Sequence, residues 1–74
     1  MSCTLYWQVK PKSSFKTLPF ELRANLEKKF SFPVIVSYEL IPYLEGLDSC
    51  GIDGASELID LIYKYEEIEL NIEC

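Results

Sequence analysis

From Glu67 to Glu73 polar and apolar residues alternate without a break, with Ile68, Leu70 and Ile72 on one side and Glu67, Glu69, Asn71 and Glu73 on the other. A period of two marks a strand with one buried and one wet face, because successive side chains leave a pleated chain in opposite directions. Cys3 to Lys10 repeats the pattern, with Cys3, Leu5, Trp7 and Val9 opposed to Thr4, Tyr6, Gln8 and Lys10. Two half-apolar strands need a second layer to cover them. The chain has 74 residues, enough for one small domain over 1–74 and not for two, since folding units seldom fall far below about fifty residues.

The stretch between the strands supplies that layer. Pro11 ends the first ladder by withholding a donor, and Lys12 to Lys16 reads as a polar connection pinned through Phe15. Pro19 suits a helix start, Glu21 sits near the positive end of the helix dipole, and Leu22, Leu26 and Phe30 recur every four residues, so a helix is expected over 19–30. Pro33 disfavours helix at Phe32, and the β-branched run Val34-Ile35-Val36 suggests a short extended segment. Ser37 is the expected cap of a second helix carrying Ile41, Leu44 and Leu47 on one face, stopped by Gly51 with Ile52 as its apolar partner. Asp53 is the expected cap of a third, in which Ala55, Leu58, Ile59, Ile62 and Tyr65 or Glu66 follow helical spacing while Glu57, Asp60 and Lys64 lie outward. The expected fold is α+β, in the order β-α-(β)-α-α-β, with about three helices packed on one face of a two- to three-stranded sheet. The other face is left for solvent or a partner.

Surface scaling predicts roughly 12,500 Å² for the unfolded chain and roughly 4,700 Å² folded, which leaves little room for a large enclosed cavity. Hydrophobic residues at 49% and aromatics at 14% exclude disorder over most of the length. Histidine is absent, which removes the commonest general base and metal ligand together with the Ser-His and Cys-His nucleophiles. Gly51-Ile-Asp-Gly54 lacks the Lys-Ser/Thr of a phosphate loop, and Asp48, Ser49, Asp53 and Glu57 lack the ligand spacing of a calcium loop. No enzyme, cofactor or metal is therefore expected. No apolar run approaches the eighteen or more residues a bilayer requires, and the start has no export signal. Cys3, Cys50 and Cys74 are odd in number and widely spaced, the pattern of reduced thiols in a cytoplasm, with Cys3 and Cys50 as buried filler and Cys74 as an exposed thiol.

The formal charge of -5 hides an asymmetry. Residues 1–29 hold six bases (Lys10, Lys12, Lys16, Arg23, Lys28, Lys29) against Glu21 and Glu27, a balance of +4; residues 30–74 hold ten acids against Lys64 alone, a balance of -9. Net acidity disfavours direct nucleic-acid binding, although the amino-terminal lysines are its only candidate contacts. The acidic strand row is the candidate site. Glu67, Glu69 and Glu73 share one side with Asn71, the only neutral position in the row, and two-residue steps set neighbouring positions about 6.6 Å apart. With Glu66 and the Asp53, Glu57, Asp60 side of the third helix they are expected to present one negative surface to a basic protein, in the manner of a phosphodiester track. Solvated glutamates that discourage edge aggregation are the bland account of the same row. Tyr6, Tyr38, Tyr43 and Tyr63 add amphipathic area of the kind enriched at interfaces, Tyr63 lying closest in sequence to the acids.

Ile41-Pro-Tyr-Leu-Glu-Gly-Leu, Gly51-Ile-Asp-Gly-Ala, Glu57-Leu-Ile-Asp and Glu66-Glu-Ile-Glu-Leu-Asn-Ile-Glu73 together resemble small uncharacterised phage and prophage accessory proteins. The resemblance covers about half the chain and rests on caps and strand alternation, so it transfers no functional residue. It implies a phage product acting in a host cytoplasm, some such proteins looking like inhibitors that block host defence or nucleic-acid machinery, in an anti-CRISPR-like way. The expected partner is a host protein with a basic surface. The alternative is an assembly module in which the open sheet face or the oppositely charged halves make a homodimer.

Overall fold

The structure, a computed structural model, describes residues 3–9 and 15–73, Phe15 by its backbone alone. Lys10 to Ser14 and Cys74, on which the polar connection and the terminal thiol were expected, lie outside the described residues. In chain order the elements are β1 (Thr4–Gln8), β2 (Phe15–Leu18), α1 (Phe20–Glu27), β3 (Val34–Val36), a 3-10 turn (Tyr38–Leu40), α2 (Ile41–Ser49), α3 (Ala55–Tyr65) and β4 (Ile68–Glu73). The four strands form one antiparallel sheet in the order β2-β1-β4-β3. The α+β class is as expected, with one more strand than the upper figure.

The two strands with clean alternation occupy the centre. Leu5 and Trp7 of β1 stand opposite Ile72 and Leu70 of β4, and Val34 and Val36 of β3 stand opposite Leu70 and Ile68. This inner face is roofed by the helices through Leu22 and Leu26 of α1, Leu44 of α2 and Leu58 and Ile62 of α3, all fully buried in one core with Leu5 and Leu70. Trp7 is core, as expected, and its ring lies 5.4 Å from that of Tyr65.

Several local expectations are corrected. The stretch around Phe15 is not a loop but edge strand β2, with Leu18 opposite Leu5 and Lys16 opposite Trp7. Ser37 leads into the 3-10 turn rather than capping α2, and it makes no side-chain cap bond. Asp53 does not cap α3; that place belongs to Gly54 at φ +88°. Glycine is required there because an added Cβ would stand 2.7 Å from Pro19 Cδ. Gly51 does stop α2: at φ +82° it lets its own N–H reach Asp48 O and the Ile52 N–H reach Leu47 O, each at 3.0 Å, the paired closing bonds of a left-handed helix end.

The cysteines also differ from expectation. Cys50 is exposed rather than buried filler, and Cys3 takes part in a disulfide rather than being a reduced thiol. The cysteine set therefore no longer argues for a reducing compartment. No helix of the described residues is long and apolar enough to cross a membrane.

Candidate partner-binding surface

No described element covers the outer face of the sheet. Across it, Thr17 and Tyr6 stand in register with Asn71, Gln8 with Glu69, Thr4 with Glu73, and Glu69 again with Ile35. Ile35 is 54% exposed because a three-residue strand that turns buried Val36 and half-buried Val34 inward has to turn its middle side chain the other way. Glu69 is half-buried in this neighbourhood and Glu73 is exposed at the end of β4.

The neutral position in the acidic row has a local cause. β3 reaches no further than Val34, opposite Leu70, and the Ile72 N–H beyond it donates to Asn71 Oδ1 at 2.8 Å. An amide oxygen thus completes the backbone bonding of a central strand that has outrun its neighbour.

Glu67 precedes β4 instead of belonging to it, and Glu66 closes α3 with a φ of +71°. That left-handed residue reverses the chain between helix and strand, after which Glu67 and Glu69 border the same depression. The depression is about 150 Å³ in volume, with Val9, Ile35, Tyr65 and Ile68 as its apolar walls. It lies well below the 300–1,000 Å³ or so typical of small-molecule pockets. Among the described residues the only ion pairs are Lys16–Glu57 and Arg23–Glu27, so Glu67, Glu69 and Glu73 keep their charges unpaired.

The acids of α3 do not join this row. Asp60 stands two residues after Leu58 and two before Ile62, about 200° round the helix from each, and so points away from the core and the sheet. Glu57 is neutralised by Lys16, whose register opposite Trp7 places it on the inner side of edge strand β2. Asp53 and Asp60 are exposed in the helical layer. The expected single surface is therefore two: Glu69 and Glu73 on the sheet with Glu67 just before it, and Asp60 on α3 with Asp53 in the turn before that helix, with Glu66 exposed at the corner between them.

Tyr63 is 61% exposed and packs with Tyr38, itself 49% exposed, at a ring separation of 6.1 Å. Tyr43 turns inward enough for its hydroxyl to donate to Asn25 O at 3.3 Å. Sequence reasoning missed two contributors. Ile35 was legible in principle as the odd member of an alternating triplet. Tyr65 was read only as helical spacing, whereas its ring both backs Trp7 and receives the Lys64 ammonium at 5.3 Å. Comparison with protein-family models, with curated proteins and with solved structures finds no match to this chain.

Proposed function

We propose that this chain is a non-enzymatic binding protein whose open sheet face occupies a basic, nucleic-acid-binding site on a host protein. The observation that carries the reading is the run of unpaired carboxylates at Glu67, Glu69 and Glu73 along a sheet face that no described element covers. Glu69 and Glu73, four residues or about 13 Å apart on one face of β4, with Glu67 just before the strand, offer a cationic groove a spaced row of anions, as a nucleic-acid backbone does, without the bases. Desolvating them against fixed cations favours one partner geometry and repels acidic surfaces. The resemblance to phage accessory proteins supports a source that gains from blocking a defence target in the host cytoplasm. The Cys3 disulfide bears on that location: cytoplasmic disulfides are usually transient or redox-sensing, and thiol counting after rapid lysis reads its state.

The test is affinity capture of the tagged chain from its host, beside a variant with Glu67, Glu69 and Glu73 changed to Lys and checked for native circular dichroism. The wild type is expected to retain a basic nucleic-acid-binding protein that the variant loses. Equal recovery of that protein by both refutes the reading. The second reading, an assembly module joining copies through the sheet face, draws on the exposure of Ile35 at edge strand β3.

A further inference from the structure

The depression beside Ile35 combines three properties that together select an occupant. Its walls, Val9, Ile35 and Ile68, are aliphatic; its rim carries Glu67 and Glu69; and Tyr65 contributes an aromatic side. Its volume of about 150 Å³ suits one long side chain and is too small for a drug-sized ligand. Long cationic side chains lay their methylene stems on apolar surface and carry charge at the tip. The ring of Tyr65 already attracts a cation, since Lys64 Nζ lies 5.3 Å from its centroid while forming no ion pair with either glutamate.

We propose that this depression seats an arginine side chain of the basic partner, its stem against Ile35 and Ile68 and its guanidinium between Glu67 and Glu69 beside Tyr65. The inference rests on the proposed function and names the chemical group that the acidic face recognises. Arginine is favoured over lysine for physical reasons. A planar guanidinium is more weakly hydrated than an ammonium, stacks on an aromatic ring, and presents several donors in a fork that two carboxylates accept at once. Lys64 is then an internal competitor for the ring, held nearby by its place on α3.

The experiment uses the full chain and blocked Gly-X-Gly tripeptides, with X arginine, lysine or the neutral isostere citrulline, followed by NMR of the isoleucine methyls. Arginine peptide is expected to give saturable shifts at Ile35 and Ile68 in the millimolar range, tighter than lysine, with none from citrulline. Changing Glu67 and Glu69 to Gln abolishes saturation while the rest of the spectrum stays native; Lys64→Met tightens binding about two- to threefold. Equal response to lysine and arginine, shifts as large at Ile52 and Ile59, next to the outlying acids Asp53 and Asp60, as at Ile35 and Ile68, or no saturable shift overturns the inference. Glu73 lies outside the depression, so Glu73→Lys separates the two ideas. If that variant loses the captured partner but the wild type binds no arginine peptide, the arginine seat is wrong and the acidic-face reading stands. If arginine peptide saturates the site while the triple Lys variant still captures the partner, the seat is right and the blocking function fails.

Discussion

A Cβ on Gly54 would meet Pro19 Cδ at 2.7 Å from a backbone at φ +88°, whereas one on Gly51, at φ +82°, would meet nothing within 4 Å. Alanine at Gly51 is therefore expected to cost the left-handed penalty alone, about 1 kcal/mol, and at Gly54 about 3 kcal/mol with the clash added. Urea midpoints of the two variants measure the difference; equal losses would show that Pro19 yields freely. At this scale the sequence was only partly legible. Gly51 as a helix stop was readable because glycine is the residue that adopts its conformation cheaply. Gly54 was not, because its reason is a neighbour thirty-five positions away at Pro19, and Asp53 offered a more conventional cap.

The strands differ in how much of their own pattern they carry. β4 and β1 alternate cleanly because both lie inside the sheet with helices over one face and none over the other. Leu70 is fully buried between Trp7 and Val34 in register, so Leu70→Ala is expected to cost about 3 to 5 kcal/mol. A domain of this size has only about 4 to 11 kcal/mol of stability, so calorimetry is expected to show a large fall in Tm or outright unfolding. An unchanged Tm would remove β4 from the centre of the core. β2 was hidden because edge strands tolerate polar inward residues: Lys16 shares the inward register of Trp7 yet is 61% exposed and reaches Glu57. An ion pair so wet is worth under about 1 kcal/mol, and Lys16→Ala is expected to leave the urea midpoint nearly unchanged. A loss of several kcal/mol would mean that the pair anchors α3 to the sheet edge. The acidic alternation of β4 was legible for the same reason as the strand itself, whereas the union of its acids with those of α3 was not, because sequence spacing does not tell which layer a helix face looks from.

The accessible surface of 4633 Å² matches the roughly 4,700 Å² that scaling gives for a chain of this mass, so the fold is about as compact as its size predicts. The charge asymmetry likewise has an internal outlet, since a base of the positive half pairs with an acid of the negative half at Lys16–Glu57. With a net charge of -5, copies repel one another at low salt. Light scattering is expected to give a monomer at both low and high ionic strength; a dimer that dissolves in salt would favour the assembly module. What remains at the level of the whole molecule is a two-layer body with separate acidic faces, only one of them along a strand. The most direct test compares carbodiimide labelling of its carboxylates, free and in complex with the captured host protein. The account predicts protection of Glu67, Glu69 and Glu73 on binding, with Asp53 and Asp60 labelled as before. Protection of Asp53 and Asp60 while Glu67, Glu69 and Glu73 stay reactive would contradict it.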